Sequence, residues 1–311
     1  MGREELRLQG GPLKILLFGK NGQVVWELQR SLAPLGEITA LDREDVAPFS
    51  GDLVDPHVVA DTIRQVRPDV VVNAAAHTAV DKAESEVELA RKLNATAPGV
   101  MAREARACGA LLVHYSTDYV FDGSGTAPRQ EDDPTGPLNI YGQTKLEGEE
   151  LVRAAGGAHL IFRTSWVYAS RGHNFARTML RLASERDELT VIDDQHGAPT
   201  GADLLADVTA HAIRAVRARP DLRGTYHLVA SGETTWFGYA RHVIATARAA
   251  GQPVRVAQEA IRPVPTSRFV TPARRPLNSR LATGKLREAF GLVLPDWKVG
   301  VDRMLSEMLG R

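Results

Sequence analysis

Residues 13–28 read LKILLFGKNGQVVWEL, an apolar run followed by a glycine turn and then by helical periodicity. A short, continuous apolar run is typical of a parallel strand that is buried on both faces. Gly19 and Gly22 open a turn where the backbone can approach a pyrophosphate, next to the amides of a helix N-terminus. Val25 stands where a third glycine is usual. The turn by itself therefore predicts either a cofactor loop or a simple tight turn.

The alternation of strand and helix patterns continues through the first half of the chain. Further strand patterns lie at residues 37–42, 69–76, 111–118 and 159–168. Helical patterns lie between them, at 55–68, where Asp55 is the N-cap and Pro56 is in the first turn, at about 85–108, and from Tyr141 to about 154. This order predicts an α/β fold, a doubly wound, Rossmann-like parallel sheet with right-handed crossovers.

The second half of the chain has a looser pattern. It contains a long segment without a clear period, residues 261–280, and it ends in an amphipathic helix pattern, DWKVGVDRMLSEMLGR. A segment of that length is a linker or a binding segment rather than an idle loop. We therefore predict a dinucleotide-binding domain at 12–165 and a smaller, mainly substrate-binding region at 166–311. About residues 187–218 are expected to return to the sheet.

Composition excludes several classes of function. The 311 residues carry 38 basic and 38 acidic side chains, so charge gives no indication of a nucleic-acid or membrane partner. No apolar run approaches the roughly 20 residues that cross a bilayer, and residues 1–11 lack the apolar segment of a signal peptide. The one cysteine, Cys108, cannot form an internal disulfide, which favours a reducing compartment. We expect a cytoplasmic protein.

Features after the glycine turn favour the cofactor interpretation. Asp42 ends the second strand about 20 residues later, where an acidic side chain can accept hydrogen bonds from an adenosine ribose. Arg43 could instead pair with a 2′-phosphate. The segment GDLVD (51–55) is expected near the adenine, and NAAAH (73–77) places small residues where bulk would collide with a dinucleotide. These features predict a dinucleotide cofactor, and Asp42 and Arg43 indicate opposite preferences at the ribose 2′ position.

The segment YGQTK (141–145) places a phenol and an ammonium on one face of a helix. The fourth strand ends in HYSTDYVFDG (114–123), which brings Thr117 and Asp118 to the carboxyl edge of the sheet. We predict that Tyr141 gives its proton to a ketone oxygen, that Thr117 hydrogen-bonds the same oxygen, and that Lys145 holds the nicotinamide ribose. The ammonium and an oxidised nicotinamide are expected to lower the pKa of the phenol. The alternative is a solvated helical pair.

With these residues in place, the chain resembles the extended short-chain dehydrogenase/reductases over nearly its whole length, from KILLFGKNGQV to LPDWKVGVDRML. The segments that carry the resemblance are NAAAHTAVDKAESE (73–86), HYSTDYVFDG, PLNIYGQTKLEGE (137–149), FRTSWVY (162–168), NFARTML (174–180), DDQHGAPTGADLLAD (193–207) and RPLNSRL (275–281). Together they are far more specific than the glycine turn or the Tyr-Lys spacing.

The resemblance implies an NAD(P)H-dependent oxidoreductase, in which NADPH, or alternatively NADH, would supply the hydride. It would reduce dTDP-4-dehydro-β-L-rhamnose to dTDP-L-rhamnose, the last step in making activated rhamnose for cell-surface polysaccharide. The catalytic positions of the family fall on Thr117, Tyr141 and Lys145. The implied substrate contacts are Thr117, Asp118 and Trp166. The implied cofactor contacts are Gly22, Gln23, Val24, Asp42, Asp52, Leu53, Ala76, His77, Thr78 and Tyr115.

The resemblance also implies features that other interpretations can explain. Mg²⁺ between two subunits of a homodimer would lie on Glu27, Asp203 and Glu307, which otherwise are solvated carboxylates. Arg274, Arg275 and Asn278 could contact the diphosphate of a sugar nucleotide or form a basic loop facing water. Two rival functions remain. One is a nucleotide-sugar epimerase or dehydratase that recycles bound NAD⁺. The other is a non-catalytic, dinucleotide-binding regulatory subunit, which would tolerate loss of Tyr141 or Lys145.

Overall fold

The computed structural model describes residues 11–45 and 48–310. Most of the N-terminal segment on which the signal-peptide prediction rests, residues 1–10, lies outside these ranges. The strands are β1 (Leu13–Phe18), β2 (Gly36–Leu41), β3 (Val70–Asn73), β4 (Leu111–Thr117), β5 (His159–Thr164), β6 (Val167–Tyr168), β7 (Leu189–Ile192), β8 (His196–Gly197), β9 (Thr200–Gly201), β10 (Gly224–His227), β11 (Thr234–Thr235) and β12 (Ile261–Val264).

The helices of the first half lie between these strands, as the alternating pattern predicts, and the last two helices follow β12. They are α1 (Gln23–Leu32), α2 (Pro56–Val66), α3 (Val80–Ala83), α4 (Val87–Arg91), α5 (Ala97–Cys108), α6 (Ile140–Ala154), α7 (Phe175–Glu185), α8 (Ala202–Ala218), α9 (Trp236–Ala249), α10 (Gly284–Phe290) and α11 (Trp297–Leu309). A π-helical segment, Lys92–Thr96, joins α4 to α5. Asp55 caps α2 by accepting a hydrogen bond from the His57 amide, as predicted.

Six parallel strands form the central sheet in the order β10-β5-β4-β3-β1-β2. The predicted α/β, doubly wound fold is confirmed. Because the strands are parallel, their carboxyl ends meet at one edge of the sheet, where open α/β sheets bind ligands. The turn after β1 and the residues at the end of β4 therefore lie along the same edge.

Helices pack their apolar sides against both faces of the sheet. On one face, Val25 and Leu28 of α1 pack with Leu205 of α8, and on the other, Ile63 of α2 packs with Met101 of α5. Val25 is fully buried. The residue that replaces the third glycine therefore fills the space between its helix and the sheet.

The prediction of one continuous strand at 159–168 is wrong, because β5 ends at Thr164. The backbone turns at Trp166, which has a φ of 48°, and β6 pairs with β9 instead of continuing along the sheet. A positive φ is unfavourable for a bulky L-residue and is incompatible with an extended strand. The apolar pattern WVY gives no indication of this turn.

A separate apolar cluster holds the outer region together. Helices α7, α9 and α11 surround it with β7 and β12, and its largest buried side chains include Tyr239 and Trp297. The chain after residue 166 nevertheless contributes to both regions, because α8 packs on the sheet and β10 is its sixth strand, whereas β7 pairs with β12. The division at residue 165 stays a prediction. Within the described ranges, none of the helices has both the length and the apolar character needed to span a bilayer.

Candidate active site

The glycine turn after β1 has the shape of a phosphate cradle. Gly19 has a φ of 97°, and a Cβ there would lie 3.0 Å from the Cβ of Ala75, so only glycine fits. The Gly22 amide donates to the Gly19 carbonyl at 2.8 Å and closes the turn. Gly22 is also the N-cap of α1 and offers no side-chain cap. The first amides of α1 are thus left for an anionic ligand, which fits the pyrophosphate of a dinucleotide.

The acidic residue after β2 is held by backbone amides. One oxygen of Asp42 accepts from the Asn21 amide at 3.2 Å and the other from the Arg43 amide at 2.7 Å. The side chain of Arg43 is exposed. In the neighbouring loop, Asp52 accepts from the Val54 amide at 2.9 Å, and Leu53 is buried.

The other predicted cofactor residues differ in exposure. Gln23, Val24 and Ala76 are partly buried, and Thr78 is exposed. His77 is buried, and its Nε2 lies 2.7 Å from a carboxylate oxygen of Glu86. The side chain of Gln23 donates to the His173 carbonyl at 3.1 Å and so links α1 to the loop after β6.

Tyr115 contributes to the site through its backbone rather than its phenol. Its hydroxyl lies 2.6 Å from the Thr209 hydroxyl of α8, and its ring belongs to the core under the sheet. Its carbonyl accepts from Lys145 Nζ at 2.5 Å. Tyr115 thus anchors Lys145, and its contact with the cofactor stays a prediction.

Two glycines allow α6 to pack closely on the segment after β4 and on the π-helical segment. A Cβ on Gly142 would lie 2.2 Å from the Tyr119 carbonyl, and one on Gly148 would lie 2.1 Å from the Asn94 carbonyl. Asn139 caps the helix by accepting from the Gly142 amide at 2.8 Å. This close packing brings Tyr141 and Lys145 to the carboxyl edge of the sheet, beside Thr117.

Burial dominates the electrostatics of Tyr141 and Lys145. Burial raises the pKa of Tyr141 to about 12, with the Thr117 side chain partly offsetting the rise. Burial lowers the pKa of Lys145 to about 8, with the charge of Glu149 opposing the change. The expectation that the ammonium lowers the pKa of the phenol is therefore wrong for the protein without ligands. Tyr141 keeps its proton at neutral pH, as a proton donor must.

Thr117 and Asp118 form a hydrogen-bonded pair that is almost fully buried. Thr117 donates to a carboxylate oxygen of Asp118 at 3.1 Å and accepts from the Tyr119 amide at 3.2 Å. Burial raises the pKa of Asp118 to about 7, although hydrogen bonds from Ser279 and Thr117 lower it. Near neutral pH, the protonation state of Asp118 therefore determines whether the Thr117 hydroxyl donates to it.

Trp166 packs on an aromatic residue that the sequence analysis missed. Its ring stacks on Trp236 with centroids 3.8 Å apart and an interplanar angle of 17°. The Trp236 indole donates to Gln195 at 3.0 Å, which fixes the stack. Nothing in the segment TTWFGYA distinguishes Trp236 from an ordinary core residue. The strained φ of Trp166 favours a functional role for its position.

A cavity of about 250 Å³ extends from this stack. Its walls include Tyr119, Phe175, Gln195, Trp236, Phe269 and Arg275. The rings of Tyr119 and Tyr141 meet edge to face with centroids 5.5 Å apart. Tyr119 therefore connects the cavity wall to Tyr141, and the aromatic and polar walls suit a ligand with apolar and charged parts.

The three carboxylates of the predicted magnesium site line one small pocket together with Arg303. Arg303 pairs with Asp203 at 3.5 Å and with Glu307 at 3.3 Å, and Glu27 pairs with Arg30 at 3.1 Å. Among residues 11–45 and 48–310, three or more His, Cys, Asp or Glu side chains are nowhere grouped to hold a metal. Arginines thus pair with all three carboxylates within one chain, and the magnesium site between two subunits stays a prediction.

The predicted diphosphate contacts after residue 273 have different surroundings in the structure. Arg274 is exposed. Asn278 donates to the carbonyls of Ser124 and Ala127 at 3.2 and 2.9 Å, so it supports a loop. Arg275 pairs with Asp81 at 2.8 Å and lines the cavity.

The chain matches known proteins over nearly its whole length. Residues 13–309 match the family described as the RmlD substrate binding domain. The chain is 59% identical to the dTDP-4-dehydrorhamnose reductase of Escherichia coli strain K12, over 95% of this chain and 98% of that protein. The crystal structure of a dTDP-4-dehydrorhamnose reductase from Clostridium acetobutylicum is 35% identical with a TM-score of 0.86, over 95% and 99% of the two chains. One from Bacillus anthracis, in complex with NADP, is 32% identical with a TM-score of 0.84, over 96% and 100%.

Proposed function

The chain belongs to the RmlD substrate binding domain family, and on this premise we propose that it reduces dTDP-4-dehydro-β-L-rhamnose to dTDP-L-rhamnose. It is an oxidoreductase that uses a nicotinamide cofactor. One observation carries the proposal: Thr117, a protonated Tyr141 and a buried Lys145 lie at the sheet edge that also bears the glycine cradle. The chain is similar over almost all its length to reductases of this substrate.

Each of the three residues has a distinct role in the proposed reaction. The bound cofactor supplies the hydride that reduces the sugar ketone at C4. Tyr141, with a pKa of about 12, gives its proton to the ketone oxygen as negative charge develops there. Lys145, with a pKa of about 8, is mostly charged at neutral pH and is anchored by the Tyr115 carbonyl, from where it holds the ribose hydroxyls.

Thr117 and Asp118 act as a pair on the same ketone oxygen. When Asp118 is ionised, Thr117 donates its only hydroxyl proton in a hydrogen bond to the carboxylate, so none is left for the substrate oxygen. Protonation of Asp118 reverses that hydrogen bond and frees the Thr117 proton for the substrate oxygen. A pKa of about 7 makes both states accessible. We therefore assign Asp118, with Thr117 and Trp166, to substrate binding.

NADPH is the favoured cofactor, with NADH as the alternative. Both carboxylate oxygens of Asp42 already accept backbone amides, whereas the Arg43 guanidinium is exposed and available to a 2′-phosphate. The 32% identical relative from Bacillus anthracis was solved with NADP. The homodimer rests on the family resemblance alone, and no magnesium ion enters the proposed reaction.

The two rival functions predict different behaviour. An epimerase or dehydratase recycles a tightly held cofactor and consumes no added hydride. A regulatory subunit binds a dinucleotide without turnover. The 59% identity to a reductase over 95% of the chain favours reduction over both.

An absorbance assay tests the proposal. The protein is mixed with the dTDP-4-keto sugar, generated by the preceding enzymes, and the loss of NADPH absorbance is followed. We expect one NADPH to be consumed for each keto sugar, and a parallel assay with NADH measures the cofactor preference. Absence of any NADPH loss while the partner enzymes are active would contradict the reductase function.

A further inference from the structure

A segment between β12 and α10, Thr266–Pro276, runs along the cavity, and we call it the strap. Phe269 and Arg275 of the strap form part of the cavity wall. One end is tied to the outer region, because the amide of Thr266 donates to Asp194 at 2.9 Å and its hydroxyl donates to the same carboxylate at 2.5 Å. The strap is thus anchored before it reaches the proton-transfer residues.

The other end of the strap is tied to the sheet region by Asp81. One oxygen of Asp81 accepts from the Ala273 amide at 3.2 Å and from Arg275 Nη1 at 3.1 Å. The other accepts from Arg275 Nη2 at 2.8 Å. Nearby, Asn139 donates to the Arg274 carbonyl at 2.7 Å while it caps α6. The strap is therefore joined to the helix that bears Tyr141.

The arrangement leaves one half of the Arg275 guanidinium open. The two terminal nitrogens, Nη1 and Nη2, form the end-on fork of the guanidinium and donate to Asp81. Nη1 also donates to Thr271 Oγ1 at 2.7 Å and to the Ala273 carbonyl at 3.2 Å. Within the part of the chain that the structure describes, Nε and the second hydrogen of Nη2 have no acceptor. These two groups form the side-on fork, which binds carboxylates and phosphates in a bidentate manner.

We propose that Asp81 is a positioning residue that holds Arg275 so that its side-on fork receives the diphosphate of the nucleotide sugar. This inference rests on the proposed function, because a nucleoside diphosphate is the ligand it requires. Asp81 does not compete with the phosphate, since the two anions use different edges of the guanidinium. Holding a long side chain in its bound conformation lowers the entropy lost when the ligand binds.

The test compares the binding of dTDP and of thymidine by titration calorimetry. Arg275→Gln should weaken dTDP by about 10–100-fold, because charge-assisted hydrogen bonds are lost, and leave thymidine unchanged. Asp81→Asn should weaken dTDP by roughly 3–10-fold, because Arg275 keeps its charge but loses its fixed orientation. The double variant should bind dTDP no more weakly than Arg275→Gln alone. In the reductase assay, Asp81→Asn should raise KM for the keto sugar with little change in kcat.

Further variants separate positioning from folding. Arg275→Lys keeps a charge but has no fork, so dTDP binding should fall, and Asp81→Glu should restore part of what Asp81→Asn loses. The matched control is Arg262→Gln, which breaks an exposed pair with Glu188 of 2.9 Å and should leave dTDP affinity unchanged.

Three results would overturn the positioning role. Tighter dTDP binding in Asp81→Asn would show that Asp81 competes with the diphosphate for Arg275. Additive losses in the double variant would make the two residues independent. An equal loss of dTDP and thymidine affinity would leave only a structural role for the strap. Because dTDP binding needs no turnover, a protein that shows the Arg275-dependent difference but consumes no NADPH would contradict the reductase function alone.

Discussion

The sheet region contains an ion pair that is almost fully buried, whereas an ion pair of the outer region lies exposed at the surface. In the sheet region, Glu149 and Arg163 form a bidentate pair with side-chain exposures of 0% and 4%. In the outer region, Arg262 and Glu188 form a pair with exposures of 62% and 63%. The buried pair lies one helical turn from Lys145, where the proposed chemistry needs a fixed and dry environment. Exposed and half-buried pairs instead tie the loops around the ligand cavity.

The largest effect is expected from Tyr141→Phe. The variant removes the proton donor that acts in the transition state, so kcat should fall by about 10²–10⁴-fold. Binding of NADPH should be almost unchanged, as measured by fluorescence titration. The control is Tyr226→Phe, which removes a phenol that bonds the Leu222 carbonyl in the core of the sheet region and should keep kcat. A fully active Tyr141→Phe would show that another group donates the proton.

The second prediction contrasts the two ion pairs directly. Glu149→Gln leaves the Arg163 charge buried without compensation, so the free energy of unfolding should fall by about 3–5 kcal/mol. Glu188→Gln breaks the exposed pair and should cost about 0–1 kcal/mol. Urea unfolding measures both. Equal losses would remove the distinction between the two regions.

The third prediction concerns Asp118, whose pKa is about 7 because of burial. Between about pH 4 and pH 7 the folded protein binds this proton more tightly than the unfolded chain does, so stability falls as pH rises through that window. Asp118→Asn removes the effect. The measured quantity is the difference in the free energy of unfolding between the variant and the natural protein. This difference should increase, in favour of the variant, by about 1–3 kcal/mol from about pH 5 to about pH 8. A difference that does not vary with pH would mean that Asp118 is ionised throughout.

The smallest effect is a change in pH dependence. Lys145 loses its charge above a pKa of about 8, whereas Tyr141 keeps its proton to about 12. The kcat/KM of the natural protein should therefore decline above about pH 7, where ionised Asp118 holds the Thr117 proton, and more steeply above about pH 8, where Lys145 loses its charge, since this parameter reports groups of the free enzyme. Lys145→Arg should have a lower rate and should lose the steeper decline above about pH 8. An unchanged steep decline in the variant would assign it to another group.

The same contrast explains what the sequence could predict. The buried strands of the sheet have continuous apolar runs such as LKILLF, and Asp55 with Pro56 marks the start of α2, so local patterns sufficed there. Thr117, Tyr141 and Lys145 follow from strand ends and helical spacing, because the carboxyl edge of a parallel sheet gathers such residues.

The outer region depends on contacts between residues far apart in the chain. Asp81 and Arg275 are 194 positions apart, and Trp166 meets a tryptophan 70 positions away. The strands β6 and β9 contain two residues each, too few to show a period. The low pKa of Lys145 and the high pKa of Tyr141 come from burial, which single residues in a sequence do not reveal.

The most direct test of the account follows the hydride itself. The protein is given the dTDP-4-keto sugar with NADPH that carries deuterium at the transferred position, and the product is examined by mass spectrometry and NMR. We predict one deuterium at C4 of the sugar for each NADPH consumed, and a rate of incorporation that falls with Tyr141→Phe. A product without deuterium, or one formed while NADPH is not consumed, would contradict the account.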